Sequence, residues 1–242
     1  MDLKKTLIME KLIVISLLLI SQISFSQTAD ELIIRGNRLK DNLKDYDRAI
    51  SEYNKAIKIN PNYSGAYYNR GDAKFNLKDY KGAIADFTKA ININPNYTEA
   101  YSNRGIAKHY IKDYDGAISE YNKAIKINPK YALAYYNRGI TKLKLSNNKG
   151  AISDFTRAIN INPNYAKVYV NRGMAKFNLK DNKGSIADFT KAININPNFA
   201  TSYYNRGIAK YYLSDINGAC QDARKAKQLG YDASKLINAV CN

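Results

Sequence analysis

Residues 64–97 read SGAYYNRGDAKFNLKDYKGAIADFTKAININPNY, and near-copies of that segment fill most of the chain. All five prolines, Pro61, Pro95, Pro129, Pro163 and Pro197, stand 34 residues apart, and each closes an Asn-Pro step. An Asn-Arg-Gly triplet keeps the same period at Asn69, Asn103, Asn137, Asn171 and Asn205. Residues 64–97 and 166–199 are identical at 26 of 34 positions, so the duplication is recent. A fixed period of this length means one small unit copied in tandem. Each unit buries its apolar face against its neighbours, so the expected product is a long surface and not a single core around an enclosed site.

The pattern inside the unit defines its parts. Counting Ser64 as position 1, small residues fall at positions 8 and 20 (Gly71 with Ala83, Gly105 with Ala117, Gly139 with Ala151), where two antiparallel helices must approach closely. Position 24 is aromatic (Tyr53, Phe87, Tyr121, Phe155, Phe189) and fills the space between units. Asp45, Asp79, Asp113, Asp181 and Asp215, with Asn147 in the fourth unit, stand where the second helix starts and predict N-caps. Proline ends that helix, because it cannot donate to the backbone ladder. Each helix is then about 14 residues and about 20 Å long.

Tyr67, Gly71, Ala83, Phe87, Ala90 and Pro95, recurring in phase, resemble the tetratricopeptide repeat, a helix–turn–helix of the same length. The resemblance runs from Asp30 to about Asp232 and implies an all-α, right-handed superhelical solenoid. Its six repeats are read as 30–63, 64–97, 98–131, 132–165, 166–199 and 200–232. The first unit departs at Ile34-Arg35-Gly36-Asn37, where the glycine slips by one position. The last departs where Cys220 replaces an Ile expected to be buried, and Ala223 replaces the aromatic. After Gly230, Leu236, Ile237 and Val240 share one face, so residues 233–242 are expected to form a polar-backed capping helix.

Residues 1–26 are expected to be a cleaved export signal. Lys4, Lys5 and Lys11 are basic, Leu12–Ile20 is apolar except for Ser16, and Ser24-Phe25-Ser26 supplies small residues for cleavage before Gln27. Starting at Met9 leaves the same signal. The apolar run is short for a membrane span, and no transmembrane segment is expected in the mature chain. Residence outside the cytoplasm, periplasmic or extracellular, follows. The only cysteines, Cys220 and Cys241, are then expected to form one disulfide, not a metal site.

The formal charge is +17; cleavage removes three lysines and two acids and leaves +16. Such a balance is compatible with an anionic lipid surface, polysaccharide or nucleic acid as partner, although export argues against nucleic acid. Lys, Asn, Ile and Tyr are all abundant, so compositional drift is the competing explanation. Most lysines fall at positions 11, 15, 18, 26 and 29, expected in the turns and on the outer helix.

No enzyme is expected. The chain has one histidine, His109, at a position where other units carry Phe75, Leu143, Phe177 and Tyr211. No His/Cys cluster has metal-ligand spacing and no phosphate loop is present, so no cofactor or metal is expected. Acids at position 23 (Glu52, Asp86, Glu120, Asp154, Asp188, Asp222) and arginines at position 7 (Arg70, Arg104, Arg138, Arg172, Arg206) recur in step. They are expected to pair as scaffold.

By the resemblance, the first helix of each unit lines a concave groove. Its candidate residues are an amide ladder, Asn69, Asn103, Asn137, Asn171 and Asn205, beside an apolar strip, Ile106, Ile140, Met174 and Ile208. Phe75, His109, Phe177, Tyr211, Tyr68 and Tyr136 complete the groove, and position 13, alternating Asn42, Asn76, Tyr110, Lys144, Asn178 and Tyr212, faces it too. Asparagine both donates to and accepts from a peptide backbone, as an extended ligand needs. The expected partner is therefore a peptide or protein of the cell envelope, held by a non-enzymatic interaction scaffold. The alternative is a polyanion-binding module using the basic outer surface.

Overall fold

A computed structural model describes residues 28–241; the expected export signal, residues 1–26, lies outside them. Six helix pairs follow one another along the chain. They are α1 (Ala29–Asp41) with α2 (Tyr46–Ile59), α3 (Ser64–Asn76) with α4 (Tyr80–Ile93), and α5 (Thr98–Tyr110) with α6 (Tyr114–Ile127). Then come α7 (Ala132–Lys144) with α8 (Asn148–Ile161), α9 (Ala166–Asn178) with α10 (Asn182–Ile195), and α11 (Ala200–Tyr211) with α12 (Ile216–Gln228). α13 (Ser234–Val240) closes the array, and no strand occurs among the described residues.

Each second helix starts on the predicted cap. The Asp79 carboxylate accepts from Gly82 N at 2.9 Å, and Asp113, Asn147, Asp181 and Asp215 repeat the bond to Gly116, Gly150, Gly184 and Gly218. Each second helix of the first five pairs ends on the Asn of an Asn-Pro step. The side chains of Asn60, Asn94, Asn128, Asn162 and Asn196 accept from the backbone N–H two residues on, an Asx turn that starts the next unit. Between paired helices the chain turns through one left-handed residue: Lys44, Lys78, Lys112, Ser146, Lys180 and Ser214 have φ of 55 to 66°.

Glycine at position 8 is needed for the close approach. A Cβ on Gly139 would lie 2.6 Å from Cε1 of Phe155, the fully buried aromatic of the same unit. The slip of Gly36 has a local cause: the turn between α1 and α2 holds four residues after a 13-residue first helix, where the next four pairs have three; the last pair also has four, but there α11 is one residue shorter, at 12. The extra residue returns Gly36 to Tyr53. In the last unit, Leu236 of α13 reaches Gly207 and packs beside Ala223, replacing the missing aromatic from outside the unit. Cys220 and Cys241 form the expected disulfide, with Cα atoms 5.1 Å apart, and pin α13 to α12. Cys220 is half-buried, as Ile84 is at the equivalent position, so the Ile it replaces is not the fully buried residue expected.

Every first helix touches the first helix of the next unit, whereas among the described residues no second helix touches another second helix. The first helices therefore sit closer together than the second, and the array is concave on their side.

Candidate functional site

Two features repeat along the array: a ladder of charges inside each pair, and a row of clefts on the concave face. The charges are structural in their geometry. Arg70, Arg104, Arg138, Arg172 and Arg206 each reach the buried acid of their own unit at 2.6 to 2.7 Å. Each guanidinium also donates to the second helix of the preceding unit, at Asn54, Thr88, Asn122, Thr156 and Thr190. The expected pairing is present, with an inter-unit link that position counting missed. Lysines at position 11 join the same acids: Lys74, Lys142, Lys176 and Lys210 at 2.7 to 2.8 Å, Lys108 at 3.4 Å. That corrects the reading of these lysines as outer-surface charge. Each acid binds at least two cations, Glu120 a third in Lys123, so every node carries a surplus positive charge.

Among the described residues, clefts open between successive first helices at three places along the array. The smallest, about 140 Å³, is lined by Phe75, Asn103 and Ile106 together with Asp72 and Phe87. The largest, about 450 Å³, is lined by Ile106, His109, Tyr136, Asn137 and Ile140, joined by Tyr110, Lys112, Tyr114, Tyr121, Thr141 and Lys144. The third, about 230 Å³, is lined by Met174, Phe177, Asn205 and Ile208, with Asn178 and Phe189. Eleven of the fifteen candidate residues thus sit at clefts on one face. Tyr68 is packed instead between Phe87 and Tyr97, its hydroxyl accepting from Asn103 Nδ2 at 3.0 Å. Asn171 donates to Tyr136 Oη and to the Lys167 carbonyl. Asn69 is half-buried on α3, and Tyr211 is exposed on α11 against Tyr212.

His109 is held in the largest cleft. Thr141 Oγ1 donates to the Asn137 carbonyl at 2.9 Å, so its oxygen is left to accept from His109 Nδ1, also at 2.9 Å. This selects the Nδ1–H tautomer and leaves Nε2 as an acceptor. Burial first, and Lys144 second, pull the His109 pKa below its ordinary value, so the ring is neutral at neutral pH. Burial pushes the phenols of Tyr121 and Tyr136 upward, and both remain neutral hydrogen-bonding groups. Thr141 is fully buried and already committed to a backbone carbonyl, so this trio is a positioned wall and not an activated nucleophile. Among the described residues no three His, Cys, Asp or Glu side chains are grouped to hold a metal, and no helix is long and apolar enough to cross a membrane.

Tyr110 and Lys144 stand at position 13, which was read as facing the groove, whereas Lys112, Tyr114 and Thr141 were absent from the sequence-derived groove. Lys112 and Tyr114 belong to the turn and the second helix, and reach the cleft only because the turn folds over its mouth. Lys112, at position 15, also corrects the expectation that the turn lysines stay out of the groove.

Comparison with known proteins agrees with this architecture. Family models described as "TPR repeat" match residues 42–78 and 109–146, and those described as "Tetratricopeptide repeat" match 64–97, 132–165 and 166–199, together more than half of the chain. Among solved structures, MamA is 26% identical with a TM-score of 0.62, over 69% of this chain and 96% of that one. PilF of Pseudomonas aeruginosa is 17% identical with a TM-score of 0.76, over 87% and 96%. YrrB, described as a TPR protein with an unusual peptide-binding site, is 22% identical with a TM-score of 0.63, over 77% and 96%. No curated protein matches the chain.

Proposed function

Because the chain belongs to the tetratricopeptide repeat family, we propose that it is a non-enzymatic interaction scaffold whose concave face holds a segment of a protein partner. The observation that carries this reading is the row of three clefts on one face, each an apolar floor beside an asparagine. Met174 and Tyr211 on that face are 42% and 43% exposed, and an apolar strip of this kind is what a partner covers. The likeness to YrrB supports the same kind of ligand. We further propose that the chain works outside the cytoplasm on a partner in the cell envelope. The character of residues 1–26 and the disulfide support this.

The test is crosslinking and capture from native cell envelopes at two salt concentrations, with two sets of variants. Phe177→Ala with Tyr211→Ala weakens capture, since aromatic anchors carry most of such binding energy. Lys89→Ala with Lys123→Ala leaves it nearly intact, and raising salt changes it little. If the lysine changes abolish capture, the aromatic changes do not, and affinity falls steeply with salt, the basic outer surface is the binding site and the partner is a polyanion.

A further inference from the structure

The largest cleft is lined by Asn137, and among the described residues only this asparagine of the ladder has an amide both buried and unpaired. Asn103 donates to Tyr68 Oη at 3.0 Å, and Asn171 donates to Tyr136 Oη at 3.2 Å, each across a unit boundary. The same boundary between the third and fourth units should join residue 102 to Asn137. Residue 102 is a serine, too short to reach, and Asn137 Nδ2 is buried without a hydrogen-bond partner. Val170 likewise leaves Asn205 without a tyrosine, but that amide is not buried and unpaired. A buried amide left unpaired is costly, so this arrangement is unfavourable unless a ligand satisfies it. The terminal torsion of asparagine is soft, and a small rotation turns the amide into the cleft that Asn137 lines.

The charge of the cleft points to the ligand. Lys112 and Lys144 line it, neither forms an ion pair among the described residues, and no Asp or Glu lines it. A cleft of about 450 Å³ with aromatic walls, a free amide donor and two unpaired ammonium groups suits an apolar stem ending in an anionic acceptor. We propose that this cleft is the specificity pocket of the groove and that it receives the carboxylate side chain of an internal Glu or Asp in the bound segment. Asn137 Nδ2 and the ammonium groups of Lys112 and Lys144 take the oxygens, and the aromatic walls take the methylenes. The proposal rests on the groove reading above.

Random peptides displayed on phage are panned against the purified chain. Enriched peptides are then synthesised with each acidic residue replaced by its amide, and with free or amidated C-termini. The expected result is a shared internal Glu or Asp whose amide version binds about tenfold more weakly, the size of one lost charge-assisted contact. Amidating the C-terminus has no effect. The same tenfold preference disappears in Asn137→Leu with Lys144→Met. It also disappears in Ser102→Tyr, which restores the tyrosine latch and is checked for folding by circular dichroism. Peptides enriched without an acid preference overturn the pocket and leave the groove reading standing. An acid preference that survives both variants, or one lost on amidating the C-terminus, overturns the pocket as well. No enrichment at all overturns the groove reading together with this one.

Discussion

Arg138 grips Asp154 with two parallel hydrogen bonds, Nε to Oδ2 at 2.9 Å and Nη2 to Oδ1 at 2.6 Å. Its third nitrogen reaches Asn122 in the preceding unit. The Asp154 side chain is 4% exposed and that of Arg138 18%. The guanidinium also lies over the Tyr135 ring at 5.5 Å. One side chain therefore ties a helix pair internally and ties that pair to its neighbour.

Removing it tests a structural role against a binding role. Arg138→Leu leaves Asp154 buried with only Lys142 beside it, and is expected to cost about 3 kcal/mol in urea unfolding. Arg138→Lys rescues little, because an ammonium cannot reproduce the planar fork. Partner capture is unchanged for whatever fraction remains folded; lost capture with an unchanged unfolding midpoint would put the arginines in the binding site.

The Cys220–Cys241 bridge spans 21 positions and staples α13 to the last helix pair. In the chain-entropy account a loop of this size contributes about 3 kcal/mol. Reduction is expected to speed hydrogen exchange in α12 and α13 and leave α3–α10 unchanged. Thiol titration of denatured, unreduced protein is expected to find no free thiol.

The left-handed turn residues offer a gain of stability. Lys78 and Lys180 both have φ of 64°, a conformation that costs a residue with a Cβ about 1 kcal/mol and glycine almost nothing. Lys78→Gly and Lys180→Gly are each expected to raise the unfolding midpoint. Lys89→Gly, inside α4, is expected to lower it by a similar amount.

His109 gives the fold a pH dependence with a definite sign. Its folded pKa lies below the ordinary value of 6.5, so as pH falls the unfolded chain takes up the proton first. The histidine contribution is fully present above 6.5 and is lost as pH falls from there towards the folded pKa. His109→Phe, the residue found at Phe75 and Phe177, is expected to flatten stability between pH ~7.5 and ~5.5. A slope unchanged in His109→Phe would assign it to other groups.

Processing is checked directly. N-terminal sequencing of native protein is expected to begin at Gln27, in a fraction outside the cytoplasm. An intact Leu12–Phe25 segment in the soluble cytosolic fraction would defeat both expectations.

The 34-residue period, the capping Asp79 and its copies, the close-packed Gly139 and the aromatic Phe155 were all legible in the sequence, because each acts over a few residues or within one pair of helices. A pattern repeated six times also averages out local accident, so even the Arg138–Asp154 pairing followed from two positions recurring in step. What decided the rest was contact between units. The link from Arg138 to Asn122, and Leu236 of the capping helix standing in for an aromatic that Ala223 lacks, both depend on how one unit is set against the next. That arrangement is fixed by packing and is not written at any single position. The same holds for the cleft: Ser102 is an unremarked substitution in the sequence, and only the stacking of the third unit on the fourth shows that it leaves Asn137 without its partner.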